Sequence, residues 1–139
     1  MFLSERTNSL FFTDSGPLGE SSLENPVGSL FVIDLSVSML KPIIYGSLAH
    51  PAGLAMNAEQ NILYVAETLK NRILRVVVHS SGVFHTSVFH QFSGRLGPTA
   101  LAMKGDKDKV ETLYVARYDF RESSTNGLIS VLNKDGEII

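Results

Sequence analysis

Apolar positions in this chain fall into short runs separated by Gly, Pro, Asn and Ser, and the runs repeat. Three of them share one order of Leu, aromatic, apolar, small and charged: Leu10-Phe11-Phe12-Thr13-Asp14, Leu63-Tyr64-Val65-Ala66-Glu67 and Leu113-Tyr114-Val115-Ala116-Arg117. A second motif precedes two of these, as Pro51-Ala52-Gly53-Leu54-Ala55-Met56 and Pro98-Thr99-Ala100-Leu101-Ala102-Met103. A third follows each, as Ser29-Leu30-Phe31-Val32-Ile33, Arg72-Ile73-Leu74-Arg75-Val76 and Gly127-Leu128-Ile129-Ser130-Val131. The period is about 50 residues, the range in which repeat architectures are sought first. Short runs rich in Leu, Ile, Val, Phe and Tyr, bounded by turn formers, predict β-strands. Near-continuous apolarity predicts strands covered on both faces. No segment carries a helical period, so the fold class is all-β.

Motif order separates two all-β architectures. A sandwich has no reason to repeat sequence, whereas every blade of a propeller solves the same packing problem against its neighbour. The pattern predicts a partial β-propeller of about 2.5–3 four-stranded antiparallel blades. The innermost strand a is the Pro-x-Gly-Leu-Ala-Met segment, whose small residues Gly53, Ala55, Ala100 and Ala102 suit crowding around an axis. Strand b is the Leu-Tyr-Val-Ala segment and strand c the Arg-Ile-Leu-Arg type. The outer strand d is residues 42–45 in the first unit and 83–92 in the second. The expected blades are 8–46, lacking a recognisable strand a, then 51–92, complete, then 98–139, which stops at Glu137-Ile138-Ile139 where strand d begins.

Particular motifs carry a resemblance. Phe12-Thr13-Asp14-Ser15, then Gly28-Ser29-Leu30-Phe31-Val32-Ile33-Asp34 after a long loop, resembles the signature of the gluconolactonase, senescence-marker-protein (regucalcin) and strictosidine-synthase-like propellers. His50-Pro51-Ala52-Gly53-Leu54-Ala55, Leu63-Tyr64-Val65-Ala66-Glu67-Thr68 and Asn71-Arg72-Ile73 resemble the same superfamily and equally an NHL repeat. Asn133-Lys134-Asp135-Gly136-Glu137-Ile138 resembles its terminal hairpin. The resemblance implies a six-bladed propeller whose enzymes hold calcium in the central channel and hydrolyse lactones or related esters. It also implies that two metal ligands follow the Pro of strand a. Those positions here are Ala52 and Thr99. Calcium takes six to eight oxygens, mostly from carboxylates, carbonyls and amides, and Ala52 has no side-chain oxygen. The expectation is a non-catalytic binding or scaffold module without a cofactor. One alternative is part of a calcium-dependent lactonase or ester hydrolase, with calcium as its cofactor. Another is an NHL-type protein-interaction propeller.

Composition narrows the remaining choices. The chain has 139 residues, 44% of them hydrophobic, and a net charge of −2 without a basic stripe, which argues against nucleic-acid partners. Absence of cysteine excludes disulfides, thiol catalysis and Cys-ligated zinc. No apolar run approaches the ~20 residues of a membrane-spanning helix, and none near Met1 reads as a signal peptide. No membrane partner and a cytoplasmic location are expected.

The candidate binding residues are Asp14, Glu67 and Arg117, equivalent at the end of strand b in the three units, together with His50 and Asp119. His50, just before strand a and near a channel mouth, is the best acid–base candidate. His85 and His90 share a strand, and their odd spacing places them on opposite faces. Two loops after strand b are long, 15–27 and 118–126, with Glu20 and Glu24 in the first and Asp119, Arg121 and Glu122 in the second. No nucleophile elbow and no phosphate loop is present. Because propellers protect their edges by radial closure, this number of blades needs partners. Either the remaining blades of a longer chain or a second copy, as a homodimer, would meet that need. A small-molecule or protein ligand is the expected cargo.

Overall fold

The computed structural model describes residues 1–105, 110–119 and 126–139. The first apolar runs become β1 (Phe2–Ser4), β2 (Ser9–Asp14), β3 (Gly28–Asp34) and β4 (Met39–Leu48), which pair in chain order in one antiparallel sheet. The second sheet is β5 (Pro51–Met56), β6 (Ile62–Glu67), β7 (Arg72–Val78) and β8 (Phe84–Gln91), again in chain order. The third has three strands, β9 (Gly97–Lys104), β10 (Thr112–Tyr118) and β11 (Gly127–Leu132), beyond which Ile138 makes a single antiparallel bridge to Leu132. Each sheet is one blade. The protein is all-β, a partial propeller, and no helix among the described residues could cross a membrane.

One expectation is corrected. The first blade does have an inner strand: β1 pairs with β2, with Leu3 opposite Leu10 just as Met56 stands opposite Leu63. It escapes the motif because it is three residues long and carries no Pro-x-Gly start. The hairpins close on non-glycine residues with positive φ, among them Asn8, Ser38, Gln60 and Asn71. Asn takes that left-handed conformation at lower cost than most side chains.

The sheets stack in chain order, and parity along each strand decides which neighbour a side chain meets. In blade two, Leu54, Met56, Leu63, Val65, Leu74, Val76 and Val78 pack on Phe11, Leu30, Val32 and Leu48 of blade one. The alternate positions Ala55, Tyr64, Ala66 and Ile73, with Phe92 beyond β8, pack on Leu113, Val115 and Leu132 of blade three. Two separate cores result, with blade two shared between them. This is why its strands read as unbroken apolar runs instead of an alternation. The inner strands approach closely. A Cβ on Gly53 would lie 2.7 Å from Ala100 Cα and 2.9 Å from the Thr99 carbonyl oxygen. Only glycine fits there without backbone movement.

Candidate functional site

Strand a begins in the same irregular way in blades two and three. Between Pro51, opposite Glu67, and Leu54, opposite Val65, two residues (Ala52 and Gly53) face the single Ala66. Between Pro98, opposite Arg117, and Ala100, opposite Ala116, Thr99 is the extra residue. These are β-bulges, devices that re-aim a side chain at barrel rims and beside active sites. The bulge carbonyls are held by hydroxyls of the preceding blade. Thr13 Oγ1 donates to Ala52 O at 2.8 Å, Ser15 Oγ to Pro51 O at 2.9 Å and Thr68 Oγ1 to Pro98 O at 2.6 Å. Ser15 and Thr68 each follow the last residue of strand b, so this inter-blade bond is itself part of the repeat.

The side chains leaving the bulges do not fit a calcium ion. Ala52 contributes none of the oxygen that calcium requires, and Thr99 Oγ1 donates to Ala116 O at 3.2 Å. Among the described residues, no three His, Cys, Asp or Glu side chains converge as a metal site.

Glu67 and Arg117, expected as ligand-orienting groups, hold the connection that precedes their own blade. The Glu67 side chain is fully buried. Its Oε1 accepts the Ala49 N–H at 2.9 Å and stands 3.4 Å from Lys70 Nζ, while Arg72 Nε donates to Oε2. Arg117 inverts the polarity. Its Nε donates to Leu96 O at 2.9 Å and its Nη2 to Ser93 O at 3.1 Å, with the guanidinium 4.0 Å from the Phe92 ring centre. Burial pulls its pKa below the usual arginine value. The carboxylate draws in a backbone donor and the guanidinium draws in backbone acceptors, so one position performs one task with opposite charge. Asp14, the third member, is exposed and accepts its own loop's Gly16 N–H, at 2.9 Å.

Asp119 is buried, and the Arg95 Nε and Nη2 donate to its Oδ2 at 3.2 and 3.0 Å, tying the loop after β10 to the connection before β9. His50 is half-buried in the connection before β5, with φ of 54°. Its N–H donates to Ser21 Oγ at 3.3 Å and its carbonyl accepts the Thr68 N–H at 3.1 Å. Loops after strand b and connections before strand a therefore meet at one end of the blades, and that end carries every candidate residue. Sequence reasoning missed Arg72, Lys70 and Arg95. Arg72 could have been found, because the tight turn 68–71 places it directly opposite Glu67. Glu20 and Glu24 are exposed on the first long loop, whereas Arg121 and Glu122 lie outside the described residues.

The histidine geometry is corrected too. Leu74 faces Val88 but Ile73 faces His90, so Phe89 is a bulge that reverses the alternation. His85, opposite Val77, and His90, opposite Ile73, therefore share one face. They have different neighbours all the same. His90 Nδ1 lies 2.6 Å from Gly136 O, a carbonyl that only accepts, so Nδ1 carries the proton. His85 stands edge-on to His79, with ring centres 5.6 Å apart.

The class defined here is a partial propeller whose strand-a bulges open at the loop-bearing end. Comparison with known proteins agrees. The chain is 29% identical over 115 residues to the lactonase drp35 of Staphylococcus epidermidis and 28% identical over 116 residues to that of Staphylococcus aureus. These matches cover 80% and 81% of this chain but only 32% of each lactonase, so the chain spans about a third of their length. Its fold superposes on the calcium-binding protein regucalcin of Agrobacterium tumefaciens with a TM-score of 0.71 at 18% identity, covering 96% of this chain and 41% of that one. A gluconolactonase of Xanthomonas campestris gives 0.66 at 22% identity, covering 96% and 43%. No family model matches. The chain is thus similar in sequence to a third of these lactonases and similar in fold to regucalcin and gluconolactonase.

Proposed function

We propose that the chain is a blade segment of a six-bladed gluconolactonase-type propeller that binds or scaffolds instead of hydrolysing lactones. The observation that carries this reading is the pair of strand-a bulges. The side chains they aim are Ala52, without an oxygen, and Thr99, whose hydroxyl bonds to its own blade. The other polar groups at that end support the same view, since Glu67, Arg117 and Asp119 are engaged in holding blade connections. A ligand, whether a small molecule or a protein, would meet the exposed part of that end, including Glu20 and Glu24 on the long loop. Blades beyond these three sheets complete the ring.

The test is calcium calorimetry combined with a lactone-turnover assay on the purified chain. No tight calcium binding and no turnover are expected. In the double variant Ala52→Asn, Thr99→Asp, calcium affinity should rise at least about tenfold, because two oxygen ligands return to the bulges. Tight calcium uptake by the unaltered chain together with lactone turnover would overturn the reading. The rival, part of a calcium-dependent lactonase, is favoured by the names of the curated relatives, and that same outcome would establish it.

A further inference from the structure

The two end faces of the three-blade stack carry the two halves of an interface that the molecule already makes twice. On the outer face of blade one, Leu3, Leu10, Phe12, Phe31 and Ile33 occupy the register positions of Met56, Leu63, Val65, Leu74 and Val76 in blade two. Those blade-two residues are buried against blade one. Leu3, in contrast, is 52% exposed where Met56 is 4%, and Phe12 and Phe31 stack on each other with ring centres 5.4 Å apart. On the outer face of blade three, Ala102, Tyr114, Ala116 and Ile129 occupy the positions of Ala55, Tyr64, Ala66 and Ile73. The blade-two set is buried against blade three, yet Ile129 is 68% exposed where Ile73 is 0%.

Asp14 supplies a separate observation. Glu67 and Arg117, at its position, each bind backbone of the connection arriving from the preceding blade. Asp14 has that place in the first blade and is exposed.

Building on the propeller reading, we propose that a second copy of this chain packs head to tail, its blade-three face on the blade-one face of the first. Two copies then close a ring by two equivalent contacts. A heterologous contact of this kind closes only when the rotation per copy completes a circle, and three blades of six make half of one. The faces match because they repeat the pairing between blades two and three, large leading residues against Ala, Tyr and Ile trailing residues.

The experiment is analytical ultracentrifugation of the full chain across micromolar concentrations, with circular dichroism to verify the sheet. Concentration-dependent dimers are expected. Leu3→Glu on the blade-one face and Ile129→Glu on the blade-three face change residues 52% and 68% exposed in a single copy, at the positions of the buried Met56 and Ile73, so neither disturbs an internal core. Each variant alone should be monomeric, because every contact it can form contains one altered face. An equimolar mixture should dimerise again through its one intact pair of faces. A monomeric wild-type chain with β-sheet dichroism overturns this inference and leaves the propeller reading standing. Dimerisation of either variant alone also overturns it, by showing a like-on-like contact. Absence of β-sheet dichroism would sink the propeller reading itself.

Discussion

Glu67, Arg117 and Asp14 stand at one position of the repeat yet differ in charge and burial, which identifies the constraint there as backbone geometry. A connection must be held against the end of strand b, and either polarity of side chain can hold it. Removing one partner of a buried charge-assisted bond leaves the other unsatisfied, at about 1–3 kcal/mol. Glu67→Ala is therefore expected to destabilise by about that amount, read from the urea midpoint. Lys70 and Arg72 keep partial contact with water, so they add little to the loss. Tyr64 gives a pH test. Burial chiefly raises its pKa above the ordinary 10.0; nearby Arg75 opposes this shift and Glu111 adds to it. The unfolded chain therefore releases that proton first as pH rises. Stability linked to Tyr64 is complete below pH 10 and is lost as pH climbs through the raised folded value. Tyr64→Phe should flatten the alkaline arm of a stability–pH curve; an unchanged arm would contradict the assigned burial.

Strands show where backbone and sequence agree and where they part. Gly53 and Ala100 are equivalent in the motif, but Gly53 is overlaid by Ala100 itself, whereas Ala100 lies on the outer face of blade three. Gly53→Ala is expected to cost about 1–3 kcal/mol by overpacking. Ala100→Gly should cost no more than about 1 kcal/mol, through backbone entropy alone. Equal effects in paired denaturant titrations would contradict the close approach of β5 and β9. The same strands explain what could be read in advance. The blades were legible because runs buried on both faces leave a strong apolar signature and recur in a fixed order. β1 was not, being too short to carry the motif. The bulge at Phe89 was not, because β8 is mostly exposed and no face of it is marked as apolar. At the site, the bulge positions Ala52 and Thr99 could be read from the Pro that precedes each. The clamping roles of Glu67 and Arg117 could not, since their partners are backbone groups 18 to 24 residues away whose identity leaves no trace in side-chain type.

At the scale of the whole molecule, stability is shared unequally because the cores formed by the described residues lie between blades. Blade two contributes to both, and Leu63, Val65, Ala66, Ile73 and Val76 are wholly buried there. In an array with nearest-neighbour coupling, a unit flanked on both sides opens only when an interface on each side is lost, whereas a terminal unit opens with one. Amide hydrogen exchange should therefore be slowest, and uniform, across β6 and β7. It should be faster in β2 and β10, and fastest in β1, which is held by three residue pairs along one edge. Leu63→Ala, in the blade-one interface, should cost about 2–5 kcal/mol and accelerate exchange in both blades that share that core. Head-to-tail pairing adds a dependence that a lone stack lacks: raising the protein concentration should slow exchange in the end blades more than in the central one. Strongest protection in blade one or blade three at low concentration would mean that stability does not reside in the inter-blade cores.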